Sequence, residues 1–320
     1  MAHQSKAPRL VQVTDTVHLA QGQAVNWTLV TDDTGVMLID AGYPGDREDV
    51  LASLRQLGYD ADDVRAILLT HAHIDHLGSA IWFASEHGTP VYCHADEVGH
   101  AKREYLEQVS ILDVALRIWR PRWAVWGVHV VRNGGLIREG IPTTQPLTAE
   151  TAAGLPGRPM PISTPGHTSG HCSYVVDGVL ASGDALITGH PLLRHRGPQL
   201  LPAVFSHSQQ NCLRSLTALA ILDTEVLLPG HGDAWRGPIR ELVISVTSRQ
   251  QFVGTPPRIA DEIDQYIQAD ACDGFILVPH LTPHGLDEFV DRVVPLLQER
   301  GAFRSEYTGE TLRHHLGLAA

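Results

Sequence analysis

Six consecutive residues, His71-Ala72-His73-Ile74-Asp75-His76, carry four side chains of the kinds that ligate metal ions. They follow the apolar run Ala66-Ile67-Leu68-Leu69. That run reads as a short buried strand, because it is apolar throughout and Asp60, Asp62 and Asp63 lie just before it. The ligands therefore begin where a strand ends and the backbone turns out of the core. Imidazole suits zinc and iron, and carboxylate widens the choice to manganese and similar ions. The chain has 19 histidines, but abundance alone predicts scatter. It does not predict His-x-His-x-Asp-His at the mouth of a strand.

Around this stretch the elements alternate. Val11–Val13, Val17–Leu19 and Asn26–Val30 read as short strands, and Asp32–Gly35 as a hairpin turn into Val36–Asp40. Arg47–Leu57 has Val50, Leu51, Leu54 and Leu57 at helical spacing, with Gly58 where a C-cap belongs. Gly78-Ser79 is expected to open a second helix, Ala80–Glu86, before a strand at Pro90–His94. Strand, helix, strand, helix, strand is an α/β layered pattern. Further on, Asp177-Gly178 turns a hairpin between Tyr174–Val176 and Val179–Ala181. His167, Asp184 and His231 each lie just past an apolar strand or in a Pro/Gly turn. That is the placement of His71–His76 again.

The stretch from Asp96 to about Arg132 differs in character. It has helical spacing at Leu106, Val109, Leu112 and Leu116, then Trp119, Trp123 and Trp126, with Pro121 as a break. It is either a helical pair packed on the core or a lid over substrate, since aromatic side chains supply large apolar area around pockets. Contact with a membrane is disfavoured because no basic face accompanies the tryptophans.

Composition narrows the partners. The chain has 320 residues, 43% hydrophobic and 19% charged, enough for a sizeable core. Its net charge of −12 argues against nucleic acid, which needs clustered Lys and Arg. Met1–Arg9 is polar, and no run approaches the ~18 apolar residues needed to span a bilayer. Cys93, Cys172, Cys212 and Cys272 are far apart and read as reduced, mostly buried thiols. A soluble cytoplasmic protein acting on a small molecule is expected, with neither nucleic acid nor membrane as partner. A homo-oligomer is left open.

The candidate ligands are thus His71, His73, Asp75, His76, His167, Asp184 and His231. The motifs that hold them are THAHIDH, TPGHTSGH, SGDAL and PGHG. In this order, between Val11 and about Leu242, they resemble the metallo-β-lactamase superfamily, and within it the glyoxalase-II-like hydrolases. The resemblance implies a four-layer αββα sandwich with metals at one edge between the sheets, here a domain at about 10–245. It implies a first metal on His71, His73 and His167, a second on Asp75, His76 and His231, and Asp184 bridging both. Zinc is the expected ion, with iron or manganese as alternatives. Asp40 resembles the carboxylate that orients a ligand histidine. His171 matches a position that is not a ligand, and a structural role is expected for it.

Two cations about 3.5–4 Å apart lower the pKa of a bridging water enough to supply hydroxide at neutral pH. Asp75 is the catalytic candidate, a carboxylate placed to orient that nucleophile and take its proton. Esters, thioesters and lactones fit best, because their leaving groups need less protonation than an amine. No G-x-S-x-G elbow offers a nucleophilic serine instead. The rival is a mononuclear iron persulfide dioxygenase of the same fold, with His71, His167 and Asp184 as its triad. The complete second ligand set favours hydrolysis. A nuclease is disfavoured by the acidic balance, and a β-lactamase by the bridging Asp184 and the lack of a secretion signal. Nothing resembles the C-terminal glutathione-binding domain of glyoxalase II. His190, His195 and His207, after Asp184, are expected to be surface histidines.

Gly254–Leu318 reads as a different piece of protein, bounded by Pro256-Pro257. Ile259–Ile267 has helical spacing, Gly274–Val278 reads as a buried strand, and Leu286–Arg300 as an amphipathic helix. CDGFILVP, GLDEFVDRVVPLLQERG, FRSEY and TLRHHLGL resemble the C-terminal end of bacterial-luciferase-like flavin monooxygenases, near the nitrilotriacetate monooxygenase group. A βα barrel needs about 200 residues or more, so this fragment, 254–318, is an incomplete barrel and no flavin is expected. It is expected to be a βα appendage whose helix docks on the metal-binding domain or on another subunit.

Overall fold

Apolar residues occupy successive positions along the N-terminal strands, and the pleat sends them to opposite faces, building two cores at once. The structure, a computed structural model, describes residues 8–247, 252, 254–268, 275, 277, 283–306 and 311. Contacts divide the chain between Thr247 and Ser248 into two compact units.

The first sheet runs in order β1 (Arg9–Gln12), β2 (Val17–Gln21), β3 (Asn26–Asp32), β4 (Gly35–Ile39), β5 (Val64–Leu68), β6 (Val91–Cys93) and β7 (Gln145–Pro146). Pairing is antiparallel from β1 to β4 and parallel from β4 to β7. Along β4, Val36 and Leu38 face helices α1 (Arg47–Gln56) and α2 (Ile74–Glu86), joining a core with Leu54, Leu77 and Phe83. Met37 and Ile39 face the other way, toward Tyr174, Val176 and Leu228 of the second sheet. Strands covered on both faces are apolar at every position, which is why Ala66–Leu69 shows no alternation.

Helices α3 (Val98–Ala101), α4 (Ile111–Ala115) and α5 (Pro121–Arg132) lie between β6 and β7 in sequence, and α6 (Ala149–Ala153) between the two sheets. Pro121 stands at the first turn of α5, where its missing N–H costs nothing. The second sheet has the order β12-β11-β10-β9-β8, from β8 (Met160–Ser163), β9 (Cys172–Val176), β10 (Val179–Gly183), β11 (Val226–Pro229) and β12 (Trp235–Arg236). Its outer face packs Leu180 and Leu227 against Leu216, Leu219, Ile239 and Leu242 of α7 (Gln209–Ala220) and α8 (Ile239–Thr247). The layers are helix, sheet, sheet, helix. Tyr174 Oη ties the inner faces together by donating to Leu69 O (2.9 Å).

One boundary departs from expectation. Helix α2 opens at Ile74, not at Gly78, so Asp75 and His76 stand on its first turn. His73 is the extended N-cap, and an acidic residue suits the positive end of the helix. Gly78 instead permits a close approach, since a Cβ there would lie 2.3 Å from Pro44 N. Glycine lets α2 press onto the turn at Pro44–Asp46.

The second unit holds α9 (Pro256–Gln268), α10 (His284–Arg292) and α11 (Val294–Glu299). The single helix expected at Leu286–Arg300 is broken at Val293 because Pro295, in the first turn of α11, cannot donate to an earlier carbonyl. Val293 and Leu297 are buried against Ala260 and Ile263 of α9, so the tail has a small core of its own and is not a lone βα unit. The expected strand Gly274–Val278 lies outside the described residues, except Phe275 and Leu277. Cys93, Cys172 and Cys212 are buried free thiols, and Cys272 lies outside the described residues. Among the described residues no helix is long and apolar enough to cross a membrane.

Candidate metal centre

Parallel neighbours bring strand ends to one edge of each sheet, and the candidate ligands sit at those ends. β4 and β5 run parallel and deliver Asp40 and His71; β10 and β11 run parallel and deliver Asp184 and His231. His167 comes from the loop between β8 and β9. The two edges are stitched by Cys172 N–H donating to Thr70 O (2.8 Å), and β10 to the loop after β11 by Gly230 N–H donating to Gly183 O (2.9 Å). A Cβ on Gly230 would lie 2.4 Å from Asp184 Oδ1, so the loop reaches this place only with glycine.

The seven expected ligands converge, and all but Asp75 and His73 are fully buried. Three groups have ligand atoms within 4.8 Å of one another: His71, His73 and His167; His71, His76 and Asp184; and Asp75, His76 and His231. Asp184 lies between the outer two, with Oδ2 3.4 Å from His167 Nε2 and 3.2 Å from His231 Nε2, and Oδ1 3.6 Å from His76 Nε2.

Hydrogen bonds outside the cluster set the tautomers. His231 Nδ1–H donates to Ala24 O (2.7 Å) and His73 Nε2–H to Glu107 O. His76 Nδ1–H donates to Asp40 Oδ2 (2.8 Å). Thr70 gives its hydroxyl hydrogen to the same Asp40 oxygen (2.8 Å), so its Oγ1 accepts from His71 Nδ1–H (3.1 Å). Four rings therefore aim lone pairs at one space. Asp40 orients both sets, and it does so from a left-handed backbone (φ 61°).

The residues present fit divalent cations. His71 Nε2, His76 Nε2 and Asp184 Oδ1 are buried without a hydrogen-bond partner. His73 Nδ1, a lone pair by its tautomer, faces His167 Nε2 at 3.0 Å. Buried lone pairs crowded together are costly unless a cation lies among them. Burial, then neighbouring histidines, holds His71 and His167 well below the usual imidazole range, so both rings are neutral at pH 7, the form that can ligate. Burial alone would lower His76 and His231 too, but carboxylates outweigh it and raise both: Asp40, Asp184 and Asp75 for His76, and Asp184 and Asp75 for His231. A metal would replace those protons.

Several residues that support the site carry no motif. Glu97, fully buried, pairs with His100 Nδ1 (2.7 Å). It also accepts from Ala72 N–H (2.8 Å), Thr168 Oγ1 (2.8 Å) and Gly170 N–H (3.0 Å), binding the loop of His71–His76 to the loop of His167. Asn26 Nδ2 donates to Pro229 O (3.0 Å) and Gly232 O (2.7 Å), fixing the His231 turn. His171 is structural, accepting from Asp184 N–H (3.1 Å) through Nε2 while Nδ1 bonds Thr164 Oγ1 (2.8 Å).

His190 corrects an expectation. His195 and His207 are exposed, but His190 is 6% exposed, its ring 4.9 Å from that of His231. Its Nδ1 accepts from Leu192 N–H (3.2 Å), which leaves the proton on Nε2. Burial, then His231, pulls its pKa down to about 3, so it is a neutral donor.

A cavity of about 730 Å³ opens from the centre. Tyr43, Asp75, His190 and His231 line one end, and Trp126, Phe205 and side chains of α4 and α5 line the rest. Trp126 borders this space; Trp123 is stacked on Phe205 (centroids 5.7 Å, 9°), and Trp119 is exposed and apart from the cavity. The tryptophans do have basic company: Arg120 lies over Trp119 and Arg117 over Trp123.

The family model of the metallo-beta-lactamase superfamily matches residues 20–231, the span that holds every ligand described above. The chain belongs to the metallo-β-lactamase superfamily. The probable metallo-hydrolase YflN of Bacillus subtilis is 30% identical over 219 residues, which cover 64% of this chain and 78% of that protein. The metallo-β-lactamase MIM-2 has the same fold, with a TM-score of 0.53 at 17% identity over 77% of this chain and 89% of that one. A second likeness is short. N-acetyl-S-(2-succino)cysteine monooxygenase of Bacillus subtilis is 52% identical over 83 residues, 25% of this chain. The chain spans only 19% of that monooxygenase's length.

Proposed function

We propose that the centre is dinuclear and hydrolyses a carboxylic ester, thioester or lactone. The observation that carries this is the position of Asp184, whose carboxylate lies between two complete ligand sets. His71, His73 and His167 would hold one ion, Asp75, His76 and His231 the other, and Asp184 both, with zinc the best match to the donors. When bound, such ions supply Lewis acidity and a water that ionises near neutral pH.

The chain's own groups do the rest. Asp75 is the more open carboxylate, 18% exposed against 3% for Asp184, and it borders the cavity. It is placed to accept a proton from a water at the centre. His190 lines the same cavity, and its Nε2–H is a neutral donor available to a substrate oxygen. Asp40, Thr70, Ala24 O and Glu107 O keep the rings from turning, and the apolar cavity limits competing water. Every residue lining the centre belongs to the first compact unit, which supports reading the tail as an appendage to it.

The test is metal analysis of purified protein followed by ester, thioester, lactone and persulfide turnover with oxygen monitored. Two ions per chain and ester-type turnover without oxygen uptake are expected. Asp184→Asn should lower metal content and turnover together. Oxygen uptake with a persulfide, and no ester-type turnover, would instead support the iron dioxygenase.

A further inference from the structure

Away from the centre the cavity wall changes character. Val114, Ile118, Val128, Val131 and Leu136 face it, and the polar residues beyond the metal end are Gln108, Arg132 and Arg138. Four of these apolar side chains are about half exposed: Ile118 (45%), Val128 (50%), Val131 (58%) and Leu136 (58%). They are not core packing, because α5 buries Trp123 and Trp126 and leaves Val128 and Val131 half exposed. A run of wet apolar side chains continuous with a reactive centre is the chemistry of a binding gallery. At this volume the space is of ordinary small-molecule size, roughly 300–1,000 Å³.

We propose that the substrate carries a long, unbranched apolar acyl chain, which lies in this gallery with its carbonyl at the centre. The inference rests on the ester-hydrolase reading and names its substrate class. A short polar acyl group would leave the gallery wet. A peptide-like thioester with carboxylates would find donors only at Gln108, Arg132 and Arg138, and valine, isoleucine and leucine along the rest of the wall.

Two homologous series test this: p-nitrophenyl esters and N-acetylcysteamine thioesters, each from butyryl through hexanoyl and octanoyl to decanoyl, with zinc-loaded protein. Burying a methylene favours binding about fourfold at most. kcat/KM should therefore rise roughly three- to tenfold per two-carbon step. Ile118→Asp and Val131→Asp put a carboxylate beside the gallery at positions already half in water, where the fold tolerates it. Each should lower the decanoyl-to-butyryl ratio at least about tenfold. Leu112→Asp, exposed on α4 and outside the cavity, should not change that ratio. Decanoate binding to the metal-free protein, followed by tryptophan fluorescence, gives a readout independent of turnover and should weaken in Val131→Asp.

A flat chain-length profile in an active enzyme would overturn the inference and leave the hydrolase reading intact, as would faster turnover of S-lactoylglutathione than of the decanoyl thioester. No turnover of any chain length, with decanoate binding that Val131→Asp weakens, would sink the hydrolase reading and keep the apolar-chain site. Neither turnover nor decanoate binding would end both.

Discussion

At the scale of single residues, the centre depends on which nitrogen of each ring carries the proton. His190 shows the consequence outside the ligand set. The Leu192 N–H on its Nδ1 leaves Nε2–H as the donor, and burial keeps the ring neutral. His190→Ala should lower kcat about tenfold, the worth of one hydrogen bond made in the transition state, with metal content unchanged. Metal loss in that variant would mean that His190 only buttresses His231. Asp46 makes a different point about charge. Burial raises its carboxyl to about 6 although its Oδ2 accepts from Tyr43 N–H (2.9 Å). The folded pKa lies above the unfolded one, so the folded state holds the extra proton. Its contribution is fully present below about pH 4 and is lost as pH rises through about 6, at most about 3 kcal/mol. Asp46→Asn should flatten the pH dependence of stability across that window. Urea midpoints at about pH 4 and about pH 7 that shift in parallel for both proteins would refute this.

At the scale of elements, the site is an agreement between loops from distant parts of the chain. Glu97 enforces it, because one buried carboxylate takes Ala72 N–H from one ligand loop and Thr168 and Gly170 from another. Glu97→Ala leaves these donors and buried His100 without their acceptor, a loss of about 3–5 kcal/mol. Urea unfolding should show it, with weaker zinc retention in the folded variant. An unchanged midpoint and unchanged zinc would show that the loops hold each other without Glu97. Helix α2 makes a similar point about boundaries. Gly78 looks like a helix opener in sequence, but the helix is already under way and the glycine serves contact with Pro44.

At the scale of the whole molecule, three hydrophobic clusters with members from Leu10 to Val246 lie within the first unit. A chain ended at Thr247 should therefore keep its zinc content and its urea midpoint. A shortened protein that is soluble but empty of metal would show that the tail completes the centre. What the sequence determined by itself is the candidate ligand set and the layers. Ligands of fixed chemistry sit beside apolar strands, and a strand buried on both faces has to be apolar throughout, as Ala66–Leu69 is. Those signals are local, so they survive without coordinates. Tertiary structure alone decided that His190 is buried while His195 and His207 are not, that Glu97 joins two loops, and that Trp126 borders the cavity while Trp119 does not. Nothing near these residues in the chain distinguishes them. Their surroundings come from segments tens of residues away, and burial, tautomer and cavity wall are properties of those surroundings.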